Sequence, residues 1–288
     1  MLIVYNQPVL DCLGYDWYSI SIEHDAEDFI FSYILKHDYY SDAIFLPSKG
    51  FNGFTNSYKV LDSDENVLIT ILYGGESQNN KINIFSSGKY AELFYLFLQD
   101  ISIEYSLVRA DICVDYKHEG CWDEYFSYCS DVADTFSIKK LFVGSPDSLV
   151  GDSPSGRTLY LGSRTSVSFI RLYEKGKKDN PFYPNWVRLE LEFKPKNKQA
   201  RLLYAKASKL DILNASAFVD VIFGKDFDVG KAPCPAGTIR SLPDYDRTLL
   251  HLFKQYGSFF DEGLSRHKGD LFAFFQEGKD IVDRFKFT

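Results

Sequence analysis

Apolar and polar residues alternate along several short segments of the chain, a pattern typical of strands with one buried and one polar face. The clearest segments are Ser106–Tyr116, Ser168–Glu174 and Val187–Phe193. The side chains on their polar faces are Arg109, Asp111, Cys113 and Asp115 in the first, Phe169, Arg171 and Tyr173 in the second, and Arg188, Glu190 and Glu192 in the third. We expect three neighbouring antiparallel strands, with the side chains of Asp111 and Glu190 converging on one face.

Other segments have the periodicity of strands or of helices. Further strands are predicted over Tyr15–Glu23, Lys81–Phe85, Lys140–Val143 and Thr158–Leu161, with a hairpin over Val60–Leu72. Helical spacing predicts helices over Ala26–Lys36, Lys89–Gln99, Trp122–Thr135, Arg201–Leu210, Ala215–Phe223, Tyr245–Phe260 and Leu271–Phe285. This order predicts an α+β fold, an antiparallel sheet with helices packed on one side, where Val108, Ile112, Leu189 and Leu191 should point.

The same pattern suggests three parts of the chain. Residues 1–100 form an N-terminal α+β half, and residues 101–205 form a second α+β half that contains Tyr173. Residues 206–288 form a helical C-terminal region. Within it, Phe227–Pro243 holds three prolines and is the best candidate for a linker.

Composition narrows the class of protein. The 288 residues are 17% aromatic, which favours strands over an all-helical bundle. The longest apolar stretches are shorter than the ~18 residues that a membrane span needs, and no basic segment precedes an apolar one at the N-terminus. We therefore expect a cytoplasmic protein that makes no membrane contact.

The charge is unevenly distributed along the chain. The formal net charge of -8 argues against a polyanionic partner. From Arg164 to Arg201, however, ten Lys or Arg face four Asp or Glu, a local charge of +6 around Tyr173. A solvated surface is one interpretation of this basic segment, and a phosphate-binding surface is the other.

Cysteine and histidine spacing excludes several kinds of site. The five cysteines include no C-x-x-C pair, so free thiols are expected rather than disulfides or a zinc site. No two of the five histidines are placed as H-x-H or H-E-x-x-H, so any metal must rely on carboxylates. The chain also lacks a phosphate-binding P-loop, a dinucleotide-binding G-x-G-x-x-G and a G-x-S-x-G motif.

Three motifs occur in a fixed order. The first is R-x-D-x-x-x-D, at Arg109, Asp111 and Asp115. The second is G-x-T-x-Y-x-G-S, at Gly156, Thr158, Tyr160, Gly162 and Ser163, followed by R-x-Y-x-K, at Arg171, Tyr173 and Lys175. The third is W-x-R-x-E-x-E, at Trp186, Arg188, Glu190 and Glu192. In combination they resemble the trans-acting replication initiation factor (Rep_trans) family of rolling-circle plasmids and filamentous phages, from about Tyr15 to Arg201. The resemblance implies a relaxase-like sheet, a divergent form of the HUH-type nuclease fold without its histidine pair.

The resemblance also implies a nucleophilic tyrosine, Tyr173, beside Arg171. A phenol with a pKa near ~10 needs a base, a cation or a metal to react at neutral pH. Oxygen ligands without histidine favour Mg²⁺ or Mn²⁺. The candidate metal ligands are Asp111, Glu190, Glu192 and Asp115, and the candidate DNA contacts are Lys175, Lys177, Lys178, Arg164 and Arg188. Ion pairs between these carboxylates and Arg109 or Arg188 across the strands are the structural alternative.

These features lead to a functional hypothesis. A rolling-circle initiator would nick and transfer one strand at a replication origin through a 5′-phosphotyrosine intermediate, with a divalent metal ion. A non-catalytic DNA-binding regulator on the same fold is the alternative. The candidate partners are single-stranded or supercoiled origin DNA, a host helicase and a second copy of the chain.

Overall fold

Ten strands of the described residues form one antiparallel sheet in the computed structural model, which describes residues 13–78, 81–145, 156–179, 182–237 and 244–285. The strands are β1 (Leu13–Ile22), β2 (Ile44–Lys49), β3 (Asn56–Leu61), β4 (Val67–Tyr73), β5 (Ile82–Ser87), β6 (Ser106–Tyr116), β7 (Lys140–Val143), β8 (Thr158–Leu161), β9 (Ser168–Tyr173) and β10 (Val187–Phe193). Their order across the sheet is β2-β3-β4-β5-β1-β6-β10-β9-β8-β7. The predicted α+β class with an antiparallel sheet is confirmed.

The sheet joins the first two predicted parts of the chain. Strand β1 lies between β5 and β6, so residues 1–100 and 101–205 contribute to one continuous sheet. The structure divides into two compact units, Met1–Thr238 and Ile239–Thr288. The predicted boundaries at residues 100 and 205 fall inside the first unit, and the last six residues of the predicted linker, residues 238–243, lie outside the described residues.

Helices cover the apolar face of the sheet. The first unit contains the helices α1 (Ala26–Phe29), α2 (Ala91–Asp100), α3 (Cys121–Thr135), α4 (Lys175–Asp179), α5 (Lys198–Tyr204), α6 (Lys209–Leu213) and α7 (Ala217–Gly224). Helix α2 packs on β1 and β5, α5 packs on β6, and α3 packs on β9. Strand side chains that face these helices, such as Ile112, Leu189 and Leu191, are fully buried. This arrangement leaves the other face of the central strands for polar residues.

A β-bulge in β6 changes which residues of that strand face the core. The pairing of β1 with β6 shifts register between Ser19 and Ile20, so Ile20 lies opposite Leu107. Leu107 is therefore fully buried, whereas Val108 is only half-buried. The prediction that Val108 points to the helices was wrong, because a β-bulge adds one residue and breaks the strict alternation.

The second unit is a pair of helices, α8 (Asp244–Arg266) and α9 (Leu271–Phe285). They approach closely at Gly263, where a Cβ atom would lie 2.2 Å from Phe274 Cε2. His267 Nε2 and Glu277 Oε2 lie 2.8 Å apart across the pair. Large apolar side chains remain exposed on both helices, among them Leu249, Phe253, Phe259, Leu271, Phe272, Phe275 and Val282.

The described cysteines and helices agree with two further expectations. Cys113, Cys121, Cys129 and Cys234 are free thiols, as predicted; Cys12 lies outside the described residues. Burial raises the pKa of Cys113 to about 12, so this thiol is unsuited to be a nucleophile. No helix among the described residues is both long and apolar enough to span a membrane.

Candidate functional site

The three polar-faced strands lie side by side in the order β6, β10, β9, as predicted. Their register aligns the motif residues in rows across the sheet. The rows are Asp115, Arg188 and Tyr173; Cys113, Glu190 and Arg171; and Asp111, Glu192 and Phe169. Residues directly opposite each other in a sheet lie on the same face. The three sequence motifs therefore form one surface.

Asp111 and Glu190 converge on the guanidinium group of Arg171. Arg171 Nη2 donates to Asp111 Oδ2 at 3.0 Å and also to Glu190 Oε1. Arg109 holds Asp111 from the other side, with Nε donating to Oδ1 at 2.8 Å, and its Nη2 lies 3.0 Å from Glu192 Oε2. The carboxylates of all three acids are almost completely buried. The predicted convergence of Asp111 and Glu190 is confirmed, and its centre is an arginine.

Tyr173 is hydrogen-bonded to Glu190. Its hydroxyl donates to Glu190 Oε2 at 3.2 Å, on the carboxylate oxygen that Arg171 does not use. Burial, together with the negative charge of Glu190, raises the pKa of Tyr173 well above 10. The phenol therefore stays protonated at neutral pH, and a group that accepts its proton must be nearby for it to react.

Glu190 has the properties of such a group. Burial, together with the neighbouring carboxylates Asp111 and Asp16, raises the pKa of Glu190 to about 7 against the opposing charge of Arg171. Burial also raises the pKa of Asp111. Perturbed carboxylates of this kind, grouped in a cleft, mark candidate functional sites. Here the cleft encloses about 370 Å³ and is lined by Tyr173, Glu190, Arg171 and Asp111.

Asp16 is a site residue that sequence reasoning missed. Arg188 Nε and Nη2 each lie 2.7 Å from the carboxylate of Asp115, and its Nη1 donates to Asp16 Oδ1 at 2.6 Å. Strict alternation in β1 would place Asp16 on the core side with Tyr18. A register shift between Tyr15 and Trp17 moves it to the polar face instead. Only the structure reveals this bulge.

Asp115 and Glu192 differ electrostatically from Glu190. Burial raises the pKa of Asp115, but hydrogen bonds from Arg188 outweigh burial and lower it below its ordinary value. For Glu192, likewise, the cations Lys194 and Arg109 outweigh burial, and the net pKa is lowered. These two carboxylates are therefore ionised and fully paired, and Asp111 is likewise paired with Arg109 and Arg171.

The carboxylate oxygens of Asp111 and Glu190 are the type of ligand that a hard divalent cation such as Mg²⁺ prefers. Asp111 and Glu190 offer buried oxygen atoms, and a cation would offset both causes that raise the pKa of Glu190, which are first burial and then the neighbouring acids. Among the described residues, however, no three carboxylate, imidazole or thiol groups are arranged as a ready-made metal site. The carboxylates meet arginines, which is the ion-pair arrangement considered as the alternative.

The predicted DNA-binding residues occupy different environments. Arg188 is buried in its contacts with Asp16 and Asp115. Lys175 lies 3.7 Å from Asp179, and Lys177 lies 3.2 Å from Glu174, the acid that Arg157 also binds. Lys178 is exposed and lines the cleft, while Arg164 is exposed and lies over the ring of Tyr160.

The basic segment of the sequence divides in space. Its first part lies around Tyr173, but β10 runs antiparallel to β9 and carries the chain away from it, so that Phe193 lies opposite Ser168. The residues that follow β10 line a separate groove of about 520 Å³ at the other end of β6. We call it the distal groove; its charged residues are Lys81, Lys196, Lys198, Arg201, Glu23 and Glu104. Charge counting along the sequence did not reveal this division.

Four cations near the site lie over three tryptophan rings. The Arg109 guanidinium lies 4.9 Å from the ring centroid of Trp17, which stacks on Phe85. Arg157 lies 4.7 Å from the ring of Trp122. Lys117 and Lys175 lie 5.0 and 5.2 Å from the ring of Trp186. Cation–π contacts of this kind help to fix the positions of these side chains.

A close backbone approach fixes the segment after Tyr173. Gly176 N–H donates to the carbonyl of Trp186 at 2.9 Å, and a Cβ atom at position 176 would lie 1.8 Å from the carbonyl oxygen of Tyr183. Any side chain at this position would therefore collide with the backbone. Gly176 thus ties the end of β9 to the start of β10 and holds Tyr173 at the rim of the cleft.

Comparisons with known proteins agree with the sequence motifs. A solved structure of a rolling-circle replication initiator protein from Geobacillus stearothermophilus is similar at a TM-score of 0.46 and 18% identity, covering 63% of this chain and 74% of that chain. No curated protein sequence matches the chain. Residues 107–218 match the model of the Rep_trans family, described as replication initiation factor. This match confirms the predicted resemblance over the segment that contains β6, β9, β10 and Tyr173.

Proposed function

We propose that the protein is a rolling-circle replication initiator that nicks and rejoins one strand of origin DNA through Tyr173. The family match supports a role in replication initiation. The observation that carries the chemistry is the 3.2 Å hydrogen bond from the Tyr173 hydroxyl to Glu190, a carboxylate with a pKa of about 7. A nucleophile and a proton acceptor are thus already in contact.

Glu190 is the proposed proton acceptor. A general base is most effective when its pKa lies near the working pH, because it is then both ionised and basic enough to take the proton. A carboxylate at its ordinary pKa of about 4.3 would be a weak base toward a phenol. Burial of Glu190 on β10, opposite Arg171 on β9, provides the necessary shift.

Arg171 and Arg109 are the proposed electrostatic partners of the scissile phosphate. Both guanidinium groups border the cleft beside Tyr173. Fixed cations stabilise the negative charge that develops on phosphoryl oxygens during attack. Bound Mg²⁺ or Mn²⁺, held by Asp111 and Glu190, would supply the same stabilisation as a Lewis acid. Asp111 also positions Arg171 and Arg109, since it accepts hydrogen bonds from both.

The proposed reaction replaces one phosphoester bond with another, so the number of such bonds does not change. The Tyr173 oxygen bonds to phosphorus as its proton passes to Glu190, and the bond from phosphorus to the 3′ oxygen breaks. The products are a 5′-phosphotyrosine and, once a proton is taken up, a free 3′-hydroxyl that can prime synthesis. Attack by a 3′-hydroxyl on the phosphotyrosine reverses the step, so rejoining requires no ATP.

The second unit supports a protein partner. Residues 244–285 contain eight Asp or Glu and six Lys or Arg, a net charge of only -2, so a polyanion is disfavoured there. Exposed apolar side chains on both helices are typical of protein interfaces. We propose a second copy of the chain as this partner, ahead of a host helicase. Light scattering should show a dimer that Phe272→Lys dissociates; a monomer at all concentrations would contradict it.

A trapping experiment tests the nucleophile. Wild-type protein mixed with single-stranded origin DNA and Mn²⁺ should form an adduct that survives a denaturing gel, with the nucleotide on Tyr173. Tyr173→Phe keeps the ring and removes only the hydroxyl. It should fold and bind DNA like wild type but form no adduct.

Two matched variants serve as controls for this test. Tyr160 lies on the adjoining strand β8, and Tyr183 lies in the segment before Trp186. Tyr160→Phe and Tyr183→Phe should both retain the adduct. An adduct in Tyr173→Phe would refute the assignment, and a wild-type protein that binds the origin without ever forming an adduct would favour the regulator.

A further inference from the structure

The distal groove is a positively charged concave surface that lies far from Tyr173, at the other end of β6 and beside helix α5. The row that contains Tyr173 also contains Asp115, near the end of β6, whereas the distal groove includes Ser106, the first residue of β6. Nine residues of strand separate Ser106 from Asp115, which corresponds to about 30 Å at the usual rise per residue. The groove is therefore distinct from the cleft described above.

The catalytic end has no excess positive charge to attract DNA. There the carboxylates of five residues meet the guanidinium groups of three arginines and the ammonium of Lys194. These residues are Asp16, Asp111, Asp115, Glu190 and Glu192, with Arg109, Arg171 and Arg188. A cluster in which acids equal or outnumber bases repels the phosphate backbone as much as it attracts it.

The distal groove has the opposite balance. Lys81 is paired with Glu23 at 3.0 Å. Within the part of the chain that the structure describes, Lys196, Lys198 and Arg201 have no carboxylate within ion-pair distance. Lys196 and Lys198 are exposed, and Arg201 is half-buried with its Nε donating to the carbonyl of Pro195. These are available cations at a formed concave surface.

We infer that the distal groove binds the phosphodiester backbone of the DNA that flanks the cleavage point. The inference rests on the proposed function and adds a second contact to it. In a protein of net charge -8, affinity for a polyanion must come from local groups of unpaired cations. A separation of about 30 Å corresponds to about nine phosphates of one strand in duplex DNA. The same cations could instead hold a single strand.

Salt dependence of binding tests the groove directly. The variant Lys196→Gln/Lys198→Gln/Arg201→Gln removes the three unpaired charges, and Lys36→Gln/Lys49→Gln/Lys59→Gln removes three exposed charges elsewhere as a matched control. Full-length proteins would be titrated with labelled random-sequence DNA of about 8 and about 30 nucleotides, single-stranded and duplex, over a range of salt. Each lost phosphate contact should reduce the slope of log K against log salt by about 0.9 on duplex and about 0.7 on single strands.

The groove variant should lose two to three such contacts on the longer DNA, with affinity falling about tenfold or more at low salt. Loss confined to the duplex identifies a duplex flank, and loss confined to the single strand identifies a displaced strand. A groove variant indistinguishable from wild type, or from the lysine control, would overturn the inference.

Adduct formation on a short single strand separates the two proposals. The groove variant should form the Tyr173 adduct on such a strand as readily as wild type, because the groove lies outside its reach. An adduct without any change in salt slope would overturn the groove and leave the proposed nicking in place. A changed slope without an adduct in any protein would support the groove as a DNA contact and refute nicking.

Discussion

The cleft around Tyr173 and the distal groove differ in how their charges are matched. Around Tyr173, each arginine is bound to at least one carboxylate, and Asp111, Glu190 and Glu192 are buried. In the distal groove, Lys196, Lys198 and Arg201 are available to a ligand. Buried paired charges hold groups in fixed positions, whereas exposed unpaired charges attract polyanions over a distance. The comparison supports the proposal that cleavage and DNA affinity depend on separate parts of the molecule.

The largest expected effect separates the proposed cleavage from DNA binding in the cleft around Tyr173. Glu190→Gln and Asp111→Asn should each reduce the rate of DNA nicking by about 100-fold or more, since they remove a proton acceptor or the group that positions both arginines. DNA affinity, measured by fluorescence anisotropy, should stay the same or rise, because each variant removes a negative charge. If DNA affinity and nicking rate fell together, the proposed separation of cleavage from binding would be contradicted. Normal nicking by both variants in the presence of a chelator would show that these carboxylates are structural.

The next effect concerns stability. Arg188→Met should lower the free energy of unfolding by about 3 kcal/mol, because it leaves Asp115 and Asp16 without their shared cation. Arg201→Met, in the distal groove, should lower it by less than about 1 kcal/mol. Urea unfolding of the two variants gives the measurement. Equal costs at the two positions would contradict the distinction between structural and available cations.

The smallest effect is a dependence of stability on pH. The pKa of Glu190 is about 7 in the folded protein and about 4.3 when unfolded, so the folded state binds more protons between these values. Stability should therefore fall as pH rises through this window, and Glu190→Gln should remove that part of the fall. Between pH 5 and 8, urea unfolding should show wild type losing about 2 kcal/mol relative to the variant. Added Mg²⁺ or Mn²⁺ should restore part of this loss in wild type only. A constant difference between the two proteins would contradict the shifted pKa.

Much of the site was predictable because alternation in β6, β9 and β10 is regular where the motifs occur. The polar faces, the alignment of the three strands and the convergence of Asp111 with Glu190 all follow from that alternation. Asp16 was missed and Val108 was placed on the wrong face because bulges in β1 and β6 shift the register, and a bulge has no reliable signature in one sequence. Strand β2 was missed because most of its residues are exposed and Pro47 interrupts its pattern.

The division of the basic segment could not be predicted, for a different reason. A count of charges from Arg164 to Arg201 treats neighbours in sequence as neighbours in space. Because β10 runs antiparallel to β9, the chain runs back along the strand direction, and Arg171 and Lys196 therefore lie toward opposite ends of the strands. Ion pairing is also invisible in a charge count: Arg188 contributes to the basic total, yet it is buried against two acids.

The contacts between cations and indole rings should make the intrinsic fluorescence of the tryptophans sensitive to DNA binding. All three tryptophans, Trp17, Trp122 and Trp186, lie under a positively charged side chain near the site. The emission energy of an indole depends on the electric field across its ring, so a cation that turns toward a phosphate changes the colour and intensity of the emitted light. Trp186 lies beside Lys175, two residues beyond Tyr173 in the sequence, whereas Trp17 lies under Arg109. Tryptophan emission should therefore register the arrival of a DNA strand in real time, without an attached dye.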